Sequence, residues 1–354
     1  MTGPLIGSVD TRLLRVPLKR PWAVDVVDVG IIEVVVTAAD GSVGKGFSWT
    51  PTIGAEAVEA FLRYDIAPFV IGMPAYPEVW QQVWERVHEA GGGGISTIAL
   101  AGLDLALWDL VCRSRDSSLT DVLGRAHGSQ PTYGSGVNLH YSERELGQQV
   151  QRWLSAGHRA VKIKVGKPEL AEDIDRVAMV RDLIGPDVDL MVDANQRWDL
   201  GRAVTAAEGL SPFGLRWLEE PLRADDTQGH AALRRQTDIP VALGENAHTV
   251  HRFRDLLETG ACDIVQPNVV RVGGITPFLR IVALAREYGA ELAPHLLPEL
   301  SGQLALALPE TTWVEDVEDA GFEDLGALRR PTGMTISDGR ISGVTRPGLG
   351  FDFA

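Results

Sequence analysis

From about Thr132 onward this chain alternates short apolar runs with amphipathic stretches, and that alternation restricts its fold more than any other feature. Runs of strand length fall near Tyr133 and at 160–165, 189–192, 215–218, 241–243, 261–265, 291–293 and 312–314. Each is followed by a stretch with helical periodicity, and strands joined by crossover helices pair in parallel. Eight such units close into a TIM-type barrel. The predicted class is therefore α/β, with a (β/α) barrel over residues 126–325.

The flanks read differently. Residues 1–125 have the pattern of an α+β domain. Strands are predicted at 5–16 and 31–38, an Asp40-Gly41 turn precedes Val43, and helices are predicted at 56–64, 76–88 and 96–112. Residues 326–354 are rich in Gly, Pro and Arg and are expected to return to pack on the first domain.

A barrel prediction locates the chemistry, because the C-terminal ends of the strands form the working face. Lys162, Lys164, Asp193, Glu219, Glu245, His295 and Glu315 all fall at or near predicted strand ends. Lys162 and Lys164 lie two residues apart, so a strand points both the same way. A buried strand has no use for two adjacent like charges unless something anionic meets them.

Asp193, Glu219 and Glu245 supply that charge, each after hydrophobic residues on consecutive strands. Each acid taken singly suits a helix cap or a surface ion pair; three beside a lysine pair imply a cation among them. Oxygen-only ligands suit a hard divalent ion, and the expected cofactor is Mg²⁺. Alternation allows only one of the adjacent Glu219 and Glu220 into the cluster, and the residues alone do not choose between them.

A lysine near a second ammonium and a dication is expected to have a lowered pKa, which makes it a usable base. A base, a Lewis acid and a second cation together suit removal of the α-proton of a carboxylate. His295, in Ala293-Pro294-His295, is expected to face the same mouth as a general acid, and Glu315 to hydrogen-bond the substrate if protonated. A solvated loop acid is the alternative for Glu315. The other seven histidines show no ligand spacing, and Val272-Gly273-Gly274 reads as a tight turn rather than a dinucleotide fingerprint.

Composition narrows the partners. Lys and Arg number 33 against 48 Asp and Glu, a net charge of -15, which argues against nucleic acid and anionic membranes. A small-molecule carboxylate fits the local lysine pair instead. Cys112 and Cys262 sit in apolar segments as small core residues of a reducing compartment. No leader pattern opens the sequence, and no apolar run is expected to span a bilayer, so a soluble, cytoplasmic chain is expected. Homo-oligomerisation is the expectation for such barrels.

Val161-Lys162-Ile163-Lys164, Asp193-Ala194-Asn195, Glu219-Glu220-Pro221, Gly244-Glu245-Asn246 and Pro294-His295 together resemble the enolase superfamily, mandelate racemase subgroup. The stretch 271–278, Arg-Val-Gly-Gly-Ile-Thr-Pro-Phe, is similar to that of the talarate/galactarate dehydratases, a sub-branch acting on acid sugars. The resemblance implies that residues 1–125 cap the barrel. It implies Mg²⁺ on Asp193, Glu219 and Glu245, Lys164 as base on one face and His295 as acid or base on the other. Lys162 would steady the substrate carboxylate, and Glu315 would be its electrophilic partner. Asn195, Asn268 and Trp49 would contact substrate, with the 21–28 loop and the stretch around Trp49 and Thr50 closing over it.

One position departs from the family pattern. The family's histidine usually pairs with an aspartate ending the sixth strand, and here that residue is Asn268. Muconate-cycloisomerase-like relatives carry lysine there, which argues against their chemistry. An amide orients an imidazole but cannot stabilise imidazolium as a carboxylate does. The resemblance thus implies dehydration of an aldonate or aldarate by Lys164 ahead of two-base racemisation of a 2-hydroxy acid. A non-catalytic barrel that binds acid sugars is the third reading.

Overall fold

The computed structural model describes residues 4–22, 26–51 and 53–354. Strands β1 (Ile6–Pro17), β2 (Asp28–Ala38) and β3 (Val43–Thr50) form an antiparallel sheet in that order. The helix Ile95–Ser114 lies across β3 and β2. Close approach there depends on Gly46, where an added Cβ would stand 2.4 Å from the Ala106 backbone nitrogen. On length and composition alone this helix would suit a membrane span. It is apolar on nearly all sides because sheet and barrel cover it, and most of it is buried.

The second sheet contains the eight expected strands: β4 (Ser129–Ser135), β5 (Ala160–Lys164), β6 (Asp189–Asp193), β7 (Leu215–Glu219), β8 (Val241–Leu243), β9 (Ile264–Val265), β10 (Glu291–Leu292) and β11 (Val314–Val317). Neighbours from β4 to β10 pair in parallel in chain order, and β11 pairs in parallel with β4. Among the described residues β10 and β11 share no ladder. Their ends are joined instead by the Leu296 N–H, which donates to the Glu315 carboxylate over 3.0 Å. The sixth and seventh strands are shorter than predicted, two residues each, since residues 261–263 and Ala293 lie outside the ladders.

The C-terminal segment forms the hairpin of β12 (Met334–Ser337) and β13 (Arg340–Gly343), and β13 adds antiparallel to β4. The chain then returns to the first sheet. Phe351 and Phe353 pack with Phe322 against Phe47 of β3, with ring centroids 4.8 Å and 5.5 Å from Phe47. Lys45 and Asp352 pair at 2.7 Å beside them.

Candidate active site

Alternation along the barrel strands builds the site. Tyr133, Ala160, Met191, Trp217, Ala242, Ile264 and Ala293 form an apolar plug inside the barrel, with Trp313 packed on it. Two residues after each of these come Ser135, Lys162, Asp193, Glu219, Gly244, Gln266, His295 and Glu315. The period of a strand sets this ring above the plug.

Lys162 is buried at the centre of the ring. Its Nζ lies 2.6 Å from Glu219 and 2.8 Å from Glu315, and 5.4 Å from the Tyr133 ring centroid. Burial works against its charge, but Glu219 and Glu315 outweigh that and hold the ammonium well above its ordinary pKa. Lys164, one strand step nearer the mouth, donates to Asp193. Burial lowers its pKa too, and again the carboxylates, Asp193 foremost, raise it on balance. The lowered lysine pKa read from the sequence is therefore not a property of the protein groups alone. A cation competing for the same oxygens is needed to produce it.

Asp193, Glu219 and Glu245 each offer an oxygen, all within 4.8 Å of one another and all buried. Burial, then Asp193 and its fellow acids, push Glu219 up to about 8 against the pull of Lys162. Its other oxygen accepts from Trp217 Nε1 at 3.0 Å and Gln266 Nε2 at 2.7 Å. Gly244, at φ 141 and crowded by the Gln266 backbone, turns the chain so that Glu245 meets the other two acids.

Of the two adjacent acids only Glu219 joins Asp193 and Glu245 in the converging set, as alternation required of one of them. Glu220 is also buried, because its backbone adopts φ 37 and breaks the alternation that would have sent it outward. It accepts two bonds from Asn246 Nδ2, which also donates to Glu245 at 3.1 Å. Burial and the neighbouring Glu245 hold it well above the usual carboxylate range. Five buried carboxyls thus face two buried ammonium groups. Such an excess of acid with oxygen donors converging fits a divalent cation at Asp193, Glu219 and Glu245.

Glu315 is buried and not a solvated loop acid. Ser135 Oγ donates to it at 2.7 Å. Although burial pushes upward, Lys162 and His295 hold it below the ordinary range, so it is a carboxylate here and not the protonated donor read from the sequence. His295 Nε2 lies 3.1 Å from Glu245 and 3.8 Å from Glu315, and burial lowers its pKa.

Lys164, Asn195, Glu245, His295, Glu315, Ser135 and Arg271 line a cavity of about 160 Å³ whose remaining wall is apolar: Trp22, Trp49, Pro51, Val137, Leu296 and Val317 among others. Trp22 and Trp49 meet edge to face at 6.4 Å. The 21–28 loop expected to close over substrate falls partly on residues 23–25, outside the described residues, as does Thr52. Asn195 sits at the mouth with φ 43, its backbone N–H donating to Asp193 at 2.8 Å.

Two of the expected substrate contacts lie elsewhere. Lys162 is beneath the cavity, enclosed by carboxylates. Asn268 is wholly buried behind His295, its amide engaged by that ring and by backbone. The sequence assigns no site role to Ser135, Gln266 or Trp217, and Asn246 and Arg271 stand there only inside the motifs that carry the resemblance. Ser135 and Gln266 occupy the inward register of their strands, which is the signal that marks them. Of the histidines set aside, His158 is buried and paired with Asp316 at 3.0 Å, away from the mouth.

Fold and site together define a capped α/β barrel that gathers three carboxylates and a buried lysine at its mouth. The chain belongs to the enolase superfamily: residues 9–124 match the mandelate racemase/muconate lactonizing enzyme N-terminal domain, and residues 145–354 match the enolase C-terminal domain-like family. It is 34% identical over 352 residues to the 3,6-anhydro-alpha-L-galactonate cycloisomerase of Streptomyces coelicolor, covering 98% of this chain and 96% of that one. A racemase from Streptomyces coelicolor A3(2) with bound magnesium superposes with a TM-score of 0.92 at 34% identity, covering 99% and 97% of the two chains. The L-talarate/galactarate dehydratase of Salmonella typhimurium, liganded with Mg and L-lyxarohydroxamate, gives 0.91 at 32% identity, covering 100% and 92%.

Proposed function

We propose that this chain is a Mg²⁺-dependent enzyme that removes the α-proton of a sugar acid and expels the β-oxygen, giving a 2-keto-3-deoxy acid. One observation carries the reading: Lys164 lines the cavity that Glu245 also lines, within hydrogen-bonding reach of Asp193. Base and metal-binding oxygens therefore address one small volume.

Asp193, Glu219 and Glu245 would hold the ion, which supplies Lewis-acid stabilisation of the charge growing on the substrate carboxylate. Relieved of its bond to Asp193, Lys164 takes the α-proton. Lys162, clamped between Glu219 and Glu315, favours the ionised form of both acids and fixes them in place. The apolar wall of Trp22, Trp49, Pro51 and Val137 excludes water from the reacting carbon.

Dehydration of an open-chain aldonate or aldarate is the leading form, supported by the Salmonella dehydratase bound to an acid-sugar-like ligand. The Streptomyces cycloisomerase favours a second form, in which the departing β-oxygen belongs to a ring ether. Both share the first step. The test is a keto-acid assay with Mg²⁺ across aldonates, aldarates and 3,6-anhydro acids. Product from at least one acid is expected, falling about 10²- to 10⁴-fold in Lys164→Ala, the range a positioned base supplies. Turnover that survives the substitution removes Lys164 from this role.

A further inference from the structure

We infer that Asn268 fixes His295 as a neutral donor, with its proton on Nε2, so that Lys164 is the single base of the site; the catalytic consequence rests on the α-proton abstraction proposed above. The orientation of the Asn268 amide follows from its neighbours. One end accepts from the backbone N–H groups of Val270 and Arg271, each at 3.1 Å, and only the carbonyl oxygen can accept. The other end is therefore the NH₂ group, and it lies 3.1 Å from His295 Nδ1. An NH₂ group only donates, so Nδ1 must present its lone pair. A neutral imidazole has one N–H and one lone pair, which leaves the proton on Nε2.

Nε2 is the cavity-side nitrogen, 3.1 Å from Glu245 and 3.8 Å from Glu315, both acceptors. A proton on Nδ1 would instead set two N–H groups head to head. His295 thus has no lone pair facing substrate and cannot take a proton from carbon. It offers a fixed N–H to a substrate oxygen. Proton abstraction proceeds from the Lys164 face alone: the α C–H bond breaks, an N–H bond forms on Lys164, and the electron pair enters the enolate. When the β C–O bond breaks, that pair forms the C=C bond. The leaving oxygen takes the proton back from the Lys164 ammonium, with His295 as a hydrogen-bond donor and not a proton source. Asn268 acts through His295 and is a positioning residue.

The tautomer is read by ¹⁵N NMR of the Mg²⁺-loaded enzyme labelled at its 8 histidines, with His295→Gln assigning the signals. A one-bond proton coupling at Nε2 and a bare, pyridine-type Nδ1 are expected. A proton on Nδ1 of the wild type overturns the inference. Asn268→Asp, isosteric but accepting at both ends, is expected to move the proton to Nδ1. In ²H₂O, wild-type exchange is expected for one C2 epimer of a processed acid only. Asn268→Asp should raise exchange of the other by about 10²-fold, the lower range for a positioned base. Equal exchange of both epimers by the wild type overturns the inference. If Lys164→Ala keeps full turnover while the Nε2 proton stands, the proposed base fails and the tautomer does not.

Discussion

Glu219 is the residue on which most demands converge. One oxygen accepts from Lys162; the other accepts from Trp217 and Gln266; the carboxyl also faces Asp193 and Glu245. Its raised pKa reflects burial among like charges, a cost that a dication removes. Ion binding to the folded state alone stabilises it by about 2.7 kcal/mol at an ion concentration 100 times the Kd. Thermal unfolding with and without Mg²⁺ should therefore show a clear rise in Tm for the wild type and little or none for Glu219→Gln. An equal rise in both removes Glu219 from the ligand set. Lys162 and Lys164 were readable from their spacing, but strand-end position left Glu219 and Glu220 both open, and only the family resemblance chose Glu219. The burial of Glu220 was not readable, because alternation holds only while backbone dihedrals stay extended, and its positive φ is set by tertiary packing.

Among elements, the joint between the helices Ile95–Ser114 and Ile275–Tyr288 shows what a sequence pattern omits. Asp104 breaks the apolar run of the first helix, and in sequence it is only an interruption. In the fold it caps the start of the second helix, accepting from the Thr276 N–H at 3.0 Å and the Thr276 hydroxyl at 2.6 Å. Trp108 Nε1 donates to the same hydroxyl at 3.0 Å. No local signal relates residues 172 positions apart, whereas strand and helix periods are local and were read with small boundary errors.

Burial pushes Asp104 up to about 7, above the ordinary 3.8, despite these donors. The native state then binds more protons than the unfolded chain between about pH 4 and pH 7, so this group's contribution to stability falls as pH rises through that window. Asp104→Asn keeps an acceptor for the backbone N–H and cannot ionise. Its Tm minus that of the wild type is expected to increase from pH 4 to pH 7 and then level off, as followed by circular dichroism. A constant difference removes the raised pKa.

For the whole molecule, the outstanding question is what holds the capping sheet over the barrel mouth. Trp49, on the cavity wall, lies two residues from Phe47 on β3, and the return of residues 326–354 onto the first domain gives Phe47 its partners. Phe351 and Phe353 are 2% and 1% exposed, Arg12 donates to the Phe353 carbonyl, and Leu349 N–H donates to Asp109 at 2.7 Å. The last residues of the chain thus fix the strand that carries the substrate wall. The acids and lysines stand on barrel strands of their own. Phe351→Ala should cost about 3–5 kcal/mol, as for other buried aromatics truncated to alanine. In the fraction that remains folded, loosening the wall should raise KM more than it lowers kcat, because substrate and transition state both lose the same contact. A fall in kcat at unchanged KM would instead tie the tail to the chemistry of the barrel ring, and a Tm equal to the wild type's would show that the phenylalanine cluster does not brace the cap.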